Sequence, residues 1–175
     1  MTTTLRTPRL TLRRWREDDV APMAAINADP EVMRWIGDGS VCDRAQTEAG
    51  IAGWEREWRE RGVGLFAVEC RETRQLAGFA GLSVPAFLPE ILPAVEIGWR
   101  LGRSFWGQGL ATEAARAVLD FALRDRGLAR VVGVHTVGNA AAEAIMRRLG
   151  MRPERETTHP AYGLPLRVHV IEARS

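Results

Sequence analysis

Residues 103–114 read Arg103-Ser-Phe-Trp-Gly-Gln-Gly-Leu-Ala-Thr-Glu-Ala114 and lie between a predicted strand, 94–101, and a predicted helix, 109–126. Gly107 and Gly109 can adopt positive φ angles and leave the backbone uncovered by side chains. The first N–H groups of a helix have no partner in the helix, and the helix dipole places partial positive charge there. The stretch therefore predicts an anion site, above all for a phosphate or pyrophosphate.

Two other phosphate-binding motifs account for this stretch less well. A P-loop needs Lys beside Ser or Thr at the helix start, and the chain contains no lysine. The dinucleotide fingerprint fits only in part, as Gly107-x-Gly109-x-x-Thr112. Too few residues follow Gly109 to complete the long parallel sheet that this fingerprint opens. A nucleotide-binding module and a glycine turn without a ligand are kept as alternatives.

The residues of this turn resemble the acetyl-CoA-binding loop of the GNAT superfamily of N-acetyltransferases. The core pattern of that loop, Gln/Arg-x-x-Gly-x-Gly/Ala, is filled by Trp106-x-x-Gly109-x-Ala111, with Trp in the first position. That departure is similar to the ribosomal-protein N-acetyltransferase (RimJ/RimL-like) branch, as is the opening Thr-Pro-Arg-Leu at 7–10. Residues 139–151 resemble a second superfamily block, Asn-x-x-Ser followed by a Lys/Arg-x-Gly-Phe ending.

Hydrophobic periodicity along the chain predicts strands and helices in the order β-α-α-β-β-β-α-β-α-β-β. This order resembles the GNAT acyl-CoA N-acyltransferase fold, a mixed sheet of the α/β (α+β) class, in a single domain over residues 1–175. The helix 109–126 between two strands predicts a right-handed crossover that joins parallel strands. The predicted strands are 9–15, 65–70, 76–84, 94–101, 131–136, 154–158 and 166–173, and the predicted helices begin near residues 18, 29, 43, 109 and 139.

Composition and charge limit the classes of function. With 46% apolar residues, 26% charged residues and a net charge of +2, the chain is typical of soluble globular proteins and gives no indication of nucleic-acid binding. No run is long or apolar enough to span a membrane, and the first residues lack a secretion signal. Cys42 and Cys70 form no metal or redox spacing, and the histidines are scattered. We therefore expect a cytoplasmic protein without a metal. The oligomeric state is left open, with a homodimer as one option.

The resemblance implies acetyl-CoA as the cosubstrate, held at the start of the helix 109–126. Backbone N–H groups of residues 107–112 would bind the pyrophosphate, and the pantetheine arm would run along Trp99 and Leu101. Arg103 would meet a phosphate of the nucleotide, or else it is a solvated turn arginine. The residues assigned to the cosubstrate are Trp99, Leu101, Arg103, Gly107, Gln108, Gly109, Leu110, Ala111, Thr112 and Asn139.

Glu96 is the candidate base that removes the proton of the amine. Superfamily members often carry an acid at this place on the central strand, and desolvation beside the cleft would raise its pKa, as suits a base. An ion pair with Arg100, on the same face of the strand, is the alternative. Glu113 is a weaker candidate, because the helix dipole alone explains an acid in the first helical turn.

The prediction does not identify the proton donor for the leaving thiolate. Many relatives carry Ser at the position of Ala142 or Tyr at the position of Met146, and neither residue can donate here. Asn139 is the second candidate catalytic residue, since its amide can hydrogen-bond the pantetheine or the thiolate; a helix N-cap is the alternative role. Tyr162 or a water is left as the donor.

The substrate-binding residues are predicted to be Trp35, Phe87, His159 and Tyr162, with the apolar loop 85–93 on the same side of the cleft. We predict an acetyl-CoA-dependent N-acetyltransferase that moves an acetyl group to a primary amine, on a protein N-terminus or a small molecule. The transfer is direct, in a ternary complex. The alternative is a non-catalytic acyl-CoA-binding or sensor protein of the same fold.

Overall fold

The computed structural model describes residues 2–174 and is built around one mixed sheet. Its strands are β1 (Leu5–Arg6), β2 (Leu10–Arg13), β3 (Leu65–Cys70), β4 (Leu76–Ser83), β5 (Glu96–Leu101), β6 (Arg130–Thr136), β7 (Arg152–Thr158) and β8 (Pro165–Glu172). They lie in the order β1-β2-β3-β4-β5-β6-β8-β7, and only β5 and β6 are parallel neighbours. The predicted fold class is confirmed.

Two of the helices begin where their capping residues predict, whereas α1 begins at Val20, after a short 3-10 turn over Glu17–Asp19. Asp29 accepts a hydrogen bond from the Glu31 N–H, and Asp43 forms a capping box with Gln46. The predicted central helix continues beyond α4 as a π-helical turn, Phe121–Asp125. The helices are α1 (Val20–Asn27), α2 (Pro30–Met33), α3 (Arg44–Arg61), α4 (Leu110–Asp120) and α5 (Ala140–Arg148).

Helices cover both faces of the sheet. On one face α1–α3 bury Met23, Met33 and Ile51 against Phe79. On the other face, the apolar side chains along one side of the predicted central helix are all buried, and each is 5% exposed or less. They belong to Leu110, Ala114, Val118 and Phe121. Burial of these side chains, at about 1.5–3 kcal/mol for each large one, fixes the start of α4 against the central strands.

The two parallel strands separate soon after they meet. β5 and β6 share one register pair, Glu96 with Val132, and the Val132 N–H donates to the Val95 carbonyl at 2.9 Å. Beyond that pair the strands diverge, so the edge of β5 toward β6 is left without ladder partners. An extended chain can pair with such an edge.

The structure adds one strand and shortens others. β1 is absent from the prediction because a strand of two residues is too short to show the alternation of apolar and polar residues. β2 ends at Arg13, whose buried guanidinium turns to Asp19 and Glu69 at 2.8 and 3.0 Å. No helix among residues 2–174 is long and apolar enough to cross a membrane.

Candidate active site

A cleft of about 1380 Å³ opens where β5 and β6 separate. One end lies at the start of α4, and the walls come from β5, the end of β6 and one side of α5. The other end reaches residues 31–37 around α2, together with Phe87 and His159. Most of the predicted cosubstrate, central-strand and acceptor residues therefore border one continuous space; Arg103, Gln108 and Tyr162 do not line it.

The turn before α4 presents a row of unpartnered donors. Gly107 and Gly109 have φ angles of 73° and 75°, a region that other residues rarely adopt. Within residues 2–174, none of the N–H groups from 107 to 112 donates a backbone or side-chain hydrogen bond. A Cβ atom built on Gly107 would meet no atom within 4 Å. The turn therefore combines unpartnered N–H groups with open space beside Gly107, as an anion site requires.

Side chains on both sides hold this turn in place. The Trp106 indole Nε1 donates to the Leu101 carbonyl at 2.9 Å, and Gln108 Nε2 donates to the Ser104 carbonyl at 3.1 Å. Arg9 Nη1 donates to the Gln108 carbonyl at 2.8 Å. The Trp in the first motif position therefore ties the turn to the end of β5.

Glu113 joins the N-terminal segment to α4. Its carboxylate accepts from the Thr7 hydroxyl at 2.7 Å, from the Arg9 N–H at 2.9 Å and from Arg9 Nε at 2.7 Å. Burial alone would raise its pKa, but the hydrogen bonds from Thr7 and Arg9 hold the pKa below its ordinary value. A carboxylate occupied in this way is a structural tie and a poor base.

Glu113→Ala should therefore destabilise the fold without slowing catalysis directly. The loss of several charge-assisted hydrogen bonds at a partly buried site predicts a fall of about 1–3 kcal/mol in the free energy of unfolding. Chemical denaturation of wild type and variant measures this difference. An unchanged stability together with a large fall in kcat would show that Glu113 acts in the reaction.

The structure places Arg103 in an ion pair on the surface, and its assignment to a phosphate of the cosubstrate stays a prediction. Its guanidinium forms a two-pronged ion pair with Asp29, at 2.9 and 2.8 Å, and does not border the cleft. The side-chain hydrogen bonds from Arg103 hold the pKa of Asp29 below its ordinary value. Arg148 does border the cleft; it is exposed at the end of α5 and has no ion-pair partner among residues 2–174.

Glu96 lies at the base of the separating strands and borders the cleft. Burial raises the pKa of its carboxyl to about 8, and no partner within residues 2–174 offsets that effect. The alternative ion pair with Arg100 does not form, because four residues along a strand span about 13 Å. Arg100 instead donates to Asn27 Oδ1 at 2.8 Å and lies 4.9 Å from the centre of the Phe79 ring.

The helix start at Asn139 combines two roles. Asn139 Oδ1 caps α5 by accepting from the Ala142 N–H at 3.2 Å, which is the alternative role given to it above. The residue also borders the cleft, and its Nδ2 donates no hydrogen bond within residues 2–174. Ala142 and Met146 border the cleft as well. The two positions expected to carry a thiolate donor are therefore in place but hold side chains that cannot donate.

Aromatic side chains border the far end of the cleft. Phe87 stacks on His159 with ring centres 5.3 Å apart, and His159 lies 4.5 Å from Tyr162. Trp35, 36% exposed, stands on the α2 side. Tyr162 is 49% exposed and does not line the cleft itself; its ring packs against His159, which does. Three of the four predicted acceptor residues thus border the cleft directly.

The sequence-based prediction missed several residues of the cleft, among them two charged residues and a histidine. Glu31 and Arg34 enter it from the α2 segment, and His135 enters it from β6. His135 lies within a short, largely apolar strand. That pattern indicates a buried side chain and does not indicate that the residue borders a cleft. Only the register of the two central strands places it there.

The family follows from a sequence match over most of the chain. Residues 9–152 match the Acetyltransferase (GNAT) domain family. The chain belongs to the GNAT acetyltransferase family. The family prediction and the acetyltransferase class are thereby confirmed. The GNAT match includes the turn before α4, Glu96 and Asn139, whereas His159 and Tyr162 lie beyond its last residue.

Relatives within the GNAT family are similar over nearly their whole length. The chain is 31% identical over 150 residues, 85% of each chain, to the uncharacterized protein YkkB of Bacillus subtilis (strain 168). It is 26% identical to the uncharacterized N-acetyltransferase p20 of Bacillus licheniformis, over 86% of this chain and 83% of that protein. RimL, a ribosomal L7/L12 alpha-N-protein acetyltransferase solved with coenzyme A, shares the fold, with a TM-score of 0.82, 19% identity and 98% of both chains covered.

Proposed function

We propose that this GNAT protein is an acetyl-CoA-dependent N-acetyltransferase that acetylates a primary amine by direct transfer. One observation carries the proposal. The N–H groups of residues 107–112 have no partner within residues 2–174, and this turn borders the same cleft as the half-buried carboxyl of Glu96. The gap between the strands joins this anion site to a candidate base. Such a cleft suits a long phosphorylated acyl carrier whose acyl end meets an amine beside the base.

The residues present fit acetyl-CoA. Backbone N–H groups at 107–112 would bind the pyrophosphate, and Arg148, which has no ion-pair partner within residues 2–174, offers a cation at the cleft. The ladder-free edge of β5 along Trp99 and Leu101 would pair with the amide groups of the pantetheine arm. When bound, acetyl-CoA supplies the activated acetyl thioester. A backbone N–H near Gly98 or Trp99 would polarise its carbonyl oxygen.

Glu96 would accept a proton from the amine, directly or through a water. A carboxyl with a pKa of about 8 holds and releases a proton near neutral pH, as a base for an amine must. An α-amine titrates near pH 8, whereas a lysine side chain titrates near 10.4. The match in pKa favours an acceptor of the α-amine kind.

The far end of the cleft supports a proposal for the acceptor class. Phe87, His159 and Trp35 form a largely aromatic border at this end, and Phe87 and Trp35 are partly exposed. The Trp in the loop motif is similar to the RimJ/RimL-like branch, which acts on protein N-termini. We infer a protein N-terminal α-amine as the first acceptor to test, with small-molecule amines as the second.

A thermal-shift titration tests the cosubstrate. A ligand that binds only the folded state at 100 times its Kd should raise the free energy of unfolding by about 2.7 kcal/mol. We expect acetyl-CoA and CoA to give such a shift, and ATP and NAD to give none. A shift with NAD or ATP but none with millimolar acetyl-CoA would favour the nucleotide-binding alternative.

A non-catalytic acyl-CoA sensor is the second candidate, and one observation favours it. Ala142 and Met146 occupy the positions where a thiolate donor is expected, and Asn139 Oδ1 is used as a helix cap. A sensor would bind acetyl-CoA yet release no CoA with any amine. Measuring free thiol with a panel of peptide and small-molecule amines separates the two candidates.

A further inference from the structure

Arg100 borders the cleft as a half-buried cation without a carboxylate partner. Its guanidinium packs 4.9 Å from the centre of the Phe79 ring, and within residues 2–174 its one hydrogen bond runs from Nη1 to Asn27 Oδ1. Burial lowers the pKa of Arg100 to about 10, and Cys42 is the only ionisable neighbour in the described chain that opposes this effect. An unpaired cation in such a place costs stability, and a ligand that supplies the anion would explain it.

The nitrogens of Arg100 differ in what they can reach. Nε is fully buried and has no hydrogen-bond partner among residues 2–174. Nη2 has no partner there either, but unlike Nε it keeps some exposed surface. Because Arg100 borders the cleft, Nη2 is a free donor at the cleft wall. A guanidinium with free terminal N–H groups binds a carboxylate through charge-assisted hydrogen bonds.

Glu96 lies on the same face of β5, four residues before Arg100. Phe79, the register partner of Arg100 on β4, belongs to the core beneath α1–α3, so this face of β5 is turned toward those helices. Neither carboxyl oxygen of Glu96 has a hydrogen-bond partner among residues 2–174, and neither is fully buried. The candidate base and the free cation are therefore both accessible on one face of the strand.

The space between these two groups is open and has an apolar wall. Gly98 lies midway between them, and a Cβ atom built on it would meet no atom within 4 Å. Trp54 and Phe79 border the cleft from the α1–α3 side, with ring centres 4.9 Å apart, and Val32 and Ile36 border it from the α2 segment. The cleft thus offers aromatic and aliphatic surface between a carboxyl and a guanidinium.

The spacing of the carboxyl and the guanidinium limits the ligands that can reach both. Four residues along a strand span about 13 Å, and a hydrogen bond at each end takes up about 3 Å, which leaves about 7 Å. The amine and the carboxylate of a free α-amino acid are joined through a single carbon atom and are too close together to span this gap. A spacer of about four or five methylene groups covers it.

Two other charged side chains border this end of the cleft. Glu31 and Arg34 lie at the α2 segment, are exposed, and form no ion pair among residues 2–174. The Arg34 guanidinium packs 5.0 Å from the centre of the Trp35 ring. Water screens exposed charges, so a carboxylate gains less from Arg34 than from the half-buried Arg100. Arg34 is therefore the natural comparison for Arg100.

We propose that Arg100 binds a carboxylate of the acceptor, a role that rests on the proposed function. The acceptor is then a primary amine that carries a carboxylate several bonds away. Its amine meets Glu96, its carboxylate accepts hydrogen bonds from Arg100 Nη2, and its spacer packs on Trp54 and Phe79. An acidic side chain near a peptide N-terminus and a small ω-amino acid both offer this chemistry. Arg100 determines specificity and takes no part in the transfer of the acetyl group.

A series of acceptors measures this preference without any substitution in the protein. 6-Aminohexanoate is compared with its carboxamide, and a peptide with glutamate as its second residue is compared with the same peptide carrying glutamine. We expect kcat/KM to be about 10–100-fold higher for the carboxylate member, mainly through KM, as for a charge-assisted hydrogen bond in a desolvated site. The two pairs distinguish a small amino acid from a peptide as the source of the carboxylate.

Variants of two arginines locate the anion site. Arg100→Gln removes the charge and keeps an amide that can donate to Asn27, and Arg34→Gln is the matched change at the exposed arginine of the same end. Arg100→Gln should bring the kcat/KM ratio between carboxylate and carboxamide to within about threefold of unity, through the loss of the charge-assisted hydrogen bond. Arg34→Gln should keep the wild-type ratio within about threefold. Melting curves show whether each variant is folded.

A binding measurement separates this inference from the proposed function. N-acetyl-6-aminohexanoate and its carboxamide are titrated by calorimetry into protein saturated with CoA. We expect the carboxylate to bind about 10–100-fold more tightly in wild type, and the two to bind equally in Arg100→Gln.

Three outcomes would overturn one claim or the other. Turnover of amines without a carboxylate preference overturns the carboxylate site alone. A preference that Arg34→Gln abolishes and Arg100→Gln keeps moves the site to Arg34 and overturns the role of Arg100. Wild type that acetylates no amine overturns the proposed function, and the titration then decides by itself whether Arg100 binds a carboxylate.

Discussion

Gly109→Glu should abolish acetyl-CoA binding. The substitution places a carboxylate among N–H groups 107–112, where the pyrophosphate is proposed to bind, and it forces a side chain onto a φ angle of 75°. We expect the Kd to rise at least 100-fold, or about 2.7 kcal/mol, in a calorimetric titration. This is one of the two largest effects that we expect.

Gly127→Glu is the matched control for this variant. Gly127 follows the same helix at its other end, has a φ angle of 63°, and offers open space to a Cβ atom. It therefore carries a similar backbone cost and the same added charge, away from the cleft. Its Kd should stay within about threefold of wild type. An unchanged affinity in Gly109→Glu would move the cosubstrate site away from the start of α4.

Glu96→Gln should lower kcat by about 10²–10⁴-fold and leave acetyl-CoA affinity nearly unchanged. The amide keeps the shape of the carboxyl but cannot accept the amine proton, and general-base effects are typically of this size, about 3–5 kcal/mol of barrier. Wild-type kcat should rise with pH toward about 8, where the carboxyl releases its proton. Above that pH the loss in Glu96→Gln should shrink, because more of the amine is already neutral.

Melting curves of the same variant separate a base from a structural acid. Burial raises the pKa of Glu96 from 4.5 to about 8, so the folded state binds this proton more tightly than the unfolded state does. The stability that this proton provides is complete below pH 4.5 and is lost as pH rises to about 8. Glu96→Gln, neutral throughout, should match wild type near pH 5 and exceed it at pH 9 by roughly 2–5 kcal/mol. A variant that melts early at every pH yet keeps wild-type kcat would make Glu96 a structural residue.

The elements of the fold could be predicted because their signals are local. A few neighbouring residues are enough to indicate the conformation of such an element. Examples are the capping residue Asp43, the alternation in β5 and the glycine turn at 107–109. For the same reason, residues 103–114 alone are enough to predict an anion site at the start of α4. Two residues in a short edge strand, β1, carry no such signal.

Partners that are distant in sequence could not be predicted. The position of Arg103 beside the turn suggests a phosphate contact, but its carboxylate partner, Asp29, is 74 residues away. Arg100 shares a strand face with Glu96 and still pairs with Asn27, because spacing along a strand exceeds the reach of both side chains. His135 enters the cleft only through the register of β5 and β6. Each of these depends on three-dimensional proximity that no short motif encodes.

Transfer of an isotopically labelled acetyl group from acetyl-CoA to an amine tests the central claim most directly. The protein is incubated with labelled acetyl-CoA and a mixture of N-terminal peptides and small primary amines, and the products are identified by mass spectrometry. We expect label on the nitrogen of at least one amine, one CoA thiol released per label, and neither in Gly109→Glu. Acetyl-CoA that binds at the start of α4 but delivers label to no amine would contradict the proposed function and identify the protein as an acyl-CoA sensor.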